Sequence, residues 1–195
     1  MSNLVKKCFE AVGLGKFANN SHPIHPATVH FPLAFLTLAN VLSLLYGSVL
    51  YLPNNPILTR DQSSPSALSI LAYATNLLGI ITSVPAILTG GAELYAMIKG
   101  NGLYQKDEKG QQKLVPKVKV ALMHAGLNDL VIAGAVFNWL QQRNAPDFRP
   151  AGYQVLVNAV LTAIQMYAAY LGGDLVYTHG VGVQRMGEGA KKKQQ

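Results

Sequence analysis

The sequence predicts an all-α integral membrane protein, an up-and-down four-helix transmembrane bundle. Of the residues, 50% are hydrophobic and only 13% are charged, whereas a soluble protein usually carries about 25% charged residues. The mean hydropathy is positive, at +0.21. Four long segments contain few charges, and a helix needs about 20 mainly apolar residues to cross the hydrocarbon core of a bilayer. Lipid is therefore the expected solvent for most of the chain.

Composition divides the chain into three parts. Residues 1–24 form a basic segment that favours an interfacial helix, residues 25–183 form the transmembrane domain, and residues 184–195 form a basic tail. The third span is the least apolar, because it carries His124 and Asp129. No internal repeat is evident in the sequence. The predicted spans cover about residues 27–52, 66–98, 120–140 and 153–177.

The connections between the spans contain residues that end helices or stay in water. Residues 53–56 begin and end with proline after the first span, and Pro65 stands at the start of the second, where it disturbs no helical hydrogen bond. Residues 99–119 are polar and rich in lysine, which predicts a linker in water. Residues 144–146 predict a short turn before the last span.

Orientation follows from the distribution of basic residues. Of the 16 Lys and Arg residues, only Arg60, Arg143 and Arg149 fall on the face opposite the termini. The positive-inside rule therefore predicts that both termini are cytoplasmic, or on the equivalent face of an organelle. Basic clusters beside apolar spans are also what anionic lipid headgroups attract. The bilayer is thus the expected partner, and nucleic acid is not.

This threading brings ionisable residues that are distant in sequence to one layer near the basic interface. Such groups are costly at membrane depth and usually face a partner, a cavity or a pathway. Imidazole is a common ligand of haem iron and of transition metals, and both uses need two or more converging rings. The predicted layer contains His25, His30, Glu93, His124, Asp174 and His179.

Two polar stripes accompany the layer. Residues that recur every three or four positions share one helix face, and both stripes are expected to face the bundle interior. Asn128 and Asp129 are alternatively plain hydrogen-bonding residues between helices. The third helix carries His124, Asn128, Val131, Ala135, Asn138 and Gln142, and the fourth carries Tyr170, Asp174 and Tyr177.

Four motifs resemble those of the domain-of-unknown-function 2231 family of small membrane proteins. The resemblance extends over residues 22–183 and implies a four-helix membrane architecture. Because bacterial relatives are sometimes joined to Rieske-type or cytochrome-c-type domains, it also implies a redox setting for the histidines. Glu93 stands where this family usually has an aspartate. The motifs are His-Pro-Ala-Thr-Val-His-Phe-Pro at 25–32, Thr-Gly-Gly-Ala-Glu at 89–93, His-Ala-Gly-Leu-Asn at 124–128 and Gly-Gly-Asp-Leu-Val-Tyr-Thr-His-Gly-Val-Gly-Val at 172–183.

The leading hypothesis is a membrane redox protein that holds haem b and exchanges electrons with a partner protein or a quinone. Its expected axial ligands are His30 and His124, about one helical turn inside the membrane boundary. His25 and His179, nearer the surface, are expected to serve the propionates or a second metal.

Two other hypotheses remain open. In the first, iron, copper or zinc binds directly to His25, His30, Glu93, His124 and His179. In the second, the polar layer only fixes the register of the helices, and the protein is a structural or assembly factor without a cofactor. The sequence favours no particular catalysed reaction and no oligomeric state.

Overall fold

The structure, a computed structural model, describes residues 3–14, 16–17, 20–21, 24–51 and 63–182. It confirms the predicted fold class. Four of its helices are long and apolar enough to cross a membrane. Three of them begin three or four residues before the predicted span, and the fourth begins one residue before it. The helices are α1 (Asn3–Leu14), α2 (Ile24–Tyr51), α3 (Ser63–Asn101), α4 (Pro116–Gln142) and α5 (Gly152–Tyr177).

The remaining elements are short. β1 (Lys16–Phe17) pairs with β2 (Asn20–Ser21), and β3 (Tyr104–Lys106) pairs with β4 (Gln112–Leu114), both in antiparallel fashion. The lysine-rich connection between α3 and α4 is therefore an ordered β-hairpin rather than a simple linker. A 3₁₀ turn (Pro146–Phe148) lies between α4 and α5.

Contacts divide the chain into two compact units, and each of α2 to α5 contributes a section to both. The first unit comprises Met1–Val29, Pro85–Gly126 and Tyr167–Gln195, and the second comprises His30–Val84 and Leu127–Met166. The tail predicted for residues 184–195 lies outside the described residues.

The first unit has an apolar core where α3, α4 and α5 meet. Val115 and Leu103, at the base of the β3–β4 hairpin, join this core and so fix the hairpin to the helices. α1 lies against α3 through Gly13, where an added Cβ would clash with the carbonyl of Ala92. Only glycine therefore allows this approach. The buried core residues are Met97, Val115, Val118, Ala121 and Leu175.

The second unit combines a small apolar cluster with buried amides. Leu36 packs with Val131 and Ala135. Since lipid offers no hydrogen bonds, polar side chains inside a membrane bundle must find partners within it. Such interhelical bonds are worth about 0.6–2 kcal/mol each. We call the following residues, all buried, the amide cluster: Asn40, Asn76, Asn138, Asn158 and Gln165.

Hydrogen bonds of the amide cluster join all four long helices in this unit. Asn138 donates to Asn158 at 2.7 Å, and Asn158 donates to Ser43 Oγ at 2.6 Å. Asn76 donates to the carbonyl of Ala135 at 2.9 Å. All side chains of the cluster are uncharged. They can therefore be buried between the helices without an ion pair.

Candidate histidine-pair site

His25 is held against α3 at the start of α2. Its Nδ1 donates to the carbonyl oxygen of Ala86 at 3.1 Å, and the Thr89 hydroxyl lies 3.4 Å from the same nitrogen. The ring fills the space above Gly90, where an added Cβ would come within 2.7 Å of the ring carbon Cε1. Thr28 connects the same two helices through a 2.8 Å hydrogen bond to Thr89. The first turn of α2 is thus fixed to α3.

His124 is held against α5 in the same way. Its Nδ1 donates to the carbonyl oxygen of Ala168 at 2.8 Å. The ring lies above Gly172, where an added Cβ would be 3.0 Å from Cε1. Ala168 is fully buried, so its carbonyl is a fixed acceptor inside the first unit.

The two imidazoles converge. Their ring centroids are 6.3 Å apart and their planes are inclined at 81°. A carbonyl oxygen can only accept, so in both neutral rings the proton lies on Nδ1 and Nε2 is the acceptor nitrogen. Hydrogen bonding of one ring nitrogen to a carbonyl is also how metal-ligating histidines are oriented in proteins. The pair therefore has the tautomer that metal ligation requires.

The arrangement occurs twice. In each helix pair, α2 with α3 and α4 with α5, a histidine of the first helix bonds the carbonyl of an alanine of the second. That alanine stands four residues before the glycine beneath the ring, as Ala86 stands before Gly90 and Ala168 before Gly172. In both helices a second glycine follows directly, and a tyrosine stands five residues after the first glycine. The histidine pair thus lies between two repeats of one local design.

The other predicted residues take different positions. Asp174 and His179 form their own pair, with 3.7 Å between a carboxylate oxygen and Nε2. Glu93 is 8% exposed in the first unit. His30 belongs to the second unit, where it is exposed and lines an open groove along α2. The histidine that His124 meets is therefore His25, not the predicted His30.

Of the two polar stripes predicted to face the bundle interior, the one on α4 is buried and the one on α5 is not. On α4, Asn128 is half-buried, and the stripe from Val131 to Gln142 is buried as predicted. Asp129 is exposed, because it lies about 150° from the centre of that stripe on the helix surface. On α5 the prediction was wrong, since Tyr170 and Tyr177 are 68% and 91% exposed. The buried face of α5 instead contains Gln154, Asn158, Leu161, Gln165, Ala168, Leu171 and Leu175.

The described residues include no group of three or more His, Cys, Asp or Glu side chains arranged to hold a metal ion. The ligands expected for a directly bound metal, three or four histidines with Glu93, are therefore not gathered among these residues. A pair of imidazoles remains, and a pair is sufficient only for a cofactor that brings its own ligands or for a two-coordinate ion.

The surface of the β3–β4 hairpin in the first unit is basic. Lys106, Lys109 and Lys113 are exposed, and Lys113 also pairs with Asp107 at 2.8 Å. Hydrogen bonds from Lys113 first, and then from the backbone of Gln111 and Lys109, lower the pKa of the Asp107 carboxyl. The hairpin thus carries three lysines against Asp107 and Glu108, a net charge of +1, with an internal ion pair at its turn.

Comparison with known proteins gives a family and no characterised relative. The family described as "Predicted membrane protein (DUF2231)" matches residues 21–185. No curated protein and no solved structure matches the chain. The match covers the histidine pair and all four long helices.

Proposed function

The chain belongs to the DUF2231 family of predicted membrane proteins, and we propose that it is a membrane redox protein that binds haem b through His25 and His124. The observation that carries this proposal is the convergence of two imidazoles with centroids 6.3 Å apart, each anchored to a backbone carbonyl through Nδ1. Two imidazoles that hold one ion between them at about 2 Å would have centroids roughly 6 Å apart.

The number of ligands favours haem over a directly bound ion. A porphyrin supplies four nitrogens of its own, so His25 and His124 alone would be enough to hold its iron. A structural zinc site needs four protein ligands and a catalytic one needs three, and no such group occurs among the described residues. His25 replaces His30 in this proposal, because His30 is exposed in the second unit.

Coordination by two histidines also restricts the chemistry. With His25 and His124 both holding the iron, a bound haem would supply electron transfer rather than binding of oxygen or a substrate. The basic β3–β4 hairpin belongs to the same unit as the pair and suits an acidic redox protein. A quinone dissolved in the bilayer is the other electron partner that this location allows.

A second candidate function is structural. It is favoured by the hydrogen bonds of His25 and His124 to Ala86 and Ala168, which join helix to helix without any cofactor. In this case the pair fixes helix register, and the protein acts in assembly. A directly bound copper, iron or zinc ion on the same pair is the remaining alternative, and it lacks a third ligand.

Absorption spectroscopy of the protein purified in detergent separates these functions. The haem proposal predicts a Soret band that shifts on reduction with dithionite and falls below about one tenth in His25→Ala and in His124→Ala, since each removes an axial ligand. His30→Ala and His179→Ala are matched controls and should retain the band.

The other outcomes are equally definite. A colourless protein with one metal ion per chain would support direct metal binding. A colourless protein without metal, even after expression with added haem precursor, would overturn the redox proposal and favour the structural function. Loss of the Soret band in His30→Ala but not in His25→Ala would restore the pair predicted from the sequence.

A further inference from the structure

A carboxylate at the midpoint of α4 points away from the second unit. Asp129 is exposed, and its side chain makes no hydrogen bond or ion pair with the described residues. Ionisable side chains inside a membrane are costly when they face lipid, and they almost always find a partner. Within the part of the chain that the structure describes, Asp129 has no such partner.

The surface around Asp129 has the shape of a helix-packing face. Leu130 and Phe137 are 52% and 43% exposed, and Ala133 lies between them at helical spacing. A small residue between two large ones lets a neighbouring helix approach closely, as is usual in membrane interfaces. We call the residues Asp129, Leu130, Ala133 and Phe137 the acidic face.

α2 carries a complementary surface in the same unit. An open, shallow groove follows one side of this helix, and two of its lining residues, Ala34 and Thr37, are small. His30 lies at one end of the groove and is exposed. We call the lining residues the histidine groove: His30, Leu33, Ala34, Thr37, Leu38 and Val41.

The two surfaces lie at corresponding levels of the second unit. Leu36 of α2 packs with Val131 and Ala135 of α4. Counting back from this contact at 1.5 Å per residue brings His30 and Asp129 to within about one helical turn of the same depth. Because all copies of one membrane protein insert in the same direction, these depths also correspond between neighbouring copies.

We propose that the protein self-associates in the membrane, with the acidic face of one copy in the histidine groove of the next, where Asp129 pairs with His30. A second copy is the occupant because it supplies both a ridge of matching spacing and an opposite ionisable group at the matching depth. Lipid tails fill a groove but leave both polar side chains without partners. This inference is independent of the haem proposal.

Exchange of the two ionisable residues tests the pairing. In lipid bilayers or nanodiscs, Asp129→His and His30→Asp should each raise the dissociation constant of the oligomer about three- to thirty-fold, as expected for one polar pair between membrane helices. The double variant restores an opposite pair and should recover most of the association. Circular dichroism and gel filtration of each variant establish that the fold is retained.

Disulfide cross-linking tests the location of the interface. In a Cys8→Ser background, chains with Ala34→Cys and differently tagged chains with Ala133→Cys should form a mixed disulfide. Ile81→Cys and Leu156→Cys, which are 56% and 70% exposed on α3 and α5, are matched controls and should not cross-link. A monomer at every protein-to-lipid ratio, cross-links only at the control positions, or equal association of the single and double variants would each overturn the proposal.

Discussion

At the scale of single residues, the glycines beneath the imidazoles determine whether the histidine pair forms. Gly90 and Gly91 are neighbours, yet an added Cβ at Gly90 would lie 2.7 Å from the His25 ring, whereas one at Gly91 would meet nothing within 4 Å. The first glycine therefore makes room for a ring, and the second does not.

Gly90→Ala should displace the His25 ring and break its hydrogen bond to Ala86. Overpacking of this kind typically costs about 1–3 kcal/mol, partly offset by the better helix propensity of alanine, about 1 kcal/mol. Gly91→Ala has the same propensity gain without the clash, and should leave stability unchanged or raised. Thermal unfolding in detergent, followed by circular dichroism, measures both.

The difference between these two variants is the informative quantity. If haem is bound, Gly90→Ala should also weaken the Soret band, because the displaced ring no longer presents Nε2 correctly. Equal stability and equal cofactor content in the two variants would show that the contact between ring and glycine has no energetic role.

The choice between His25 and His30 illustrates what a sequence leaves open at this scale. The two residues are five positions apart, so they lie about 140° apart around the helix axis, and only one of them can face a given neighbour. Hydropathy does not distinguish them. The distinguishing features are backbone carbonyls and glycines of α3, which become neighbours only after folding.

At the scale of elements, the long helices were predictable and the hairpin was not. Helices in lipid are specified by long runs of apolar residues, a signal that is strong in every span. The β3–β4 hairpin has three-residue strands that are almost wholly exposed, so they show no alternation of polar and apolar residues. It forms because Asp107 accepts backbone hydrogen bonds from Lys109 and Gln111 at 2.9 and 2.8 Å.

The hairpin should therefore loosen at low pH. Its turn is stabilised by ionised Asp107, whose pKa is held below the usual 3.8 mainly by Lys113. A carboxyl with a lowered folded-state pKa contributes stability above its unfolded pKa and loses it as the pH falls through the folded value. Hydrogen exchange at the Lys109 and Gln111 amides should thus be slow at neutral pH and gain extra opening below about pH 4.

Asp107→Ala is the matched variant for this effect. It should show open amides at neutral pH, with no further acid-dependent opening, while the helices retain their protection. Equal protection of the two amides in both proteins would contradict the role given to the carboxylate.

The repeated arrangement of histidine, alanine and glycine is also visible only at this scale. The spacing from His25 to Ala86 is 61 residues, whereas His124 is 44 residues from Ala168, because the connections differ in length. The two arrangements therefore do not form a repeat of constant length in the sequence. The similarity lies in how one helix meets the next.

At the scale of the whole molecule, membrane character was evident from composition, whereas only Asn138 of the amide cluster was predicted to face the interior. Charged residues attract notice in an apolar span, but Asn, Gln and Ser are compatible with many surroundings. The role of Gln154, Asn158 and Gln165 becomes clear only in the folded second unit, where α5 packs these side chains against the other helices. In the polar interior of that unit, the sequence therefore predicted Asn138 and Gln142 on α4 but not the amides of α2, α3 and α5.

Every proposal made for this protein depends on helices that cross the bilayer. Labelling at single cysteines tests whether they do. α4 has 27 residues, about 40 Å at 1.5 Å per residue, which is long enough for its two ends to lie on opposite sides of the hydrocarbon core. In a Cys8→Ser background, Glu108→Cys and Asn144→Cys occupy exposed positions at these two ends. An impermeant maleimide added to sealed vesicles of known orientation should label one of them and not the other. Because basic residues surround Glu108 and anionic lipid favours the cytoplasmic leaflet, Glu108→Cys should be the cytoplasmic site. Labelling of both cysteines from the same side would mean that α4 does not span, and the histidine pair would then have to be explained without a bilayer around it.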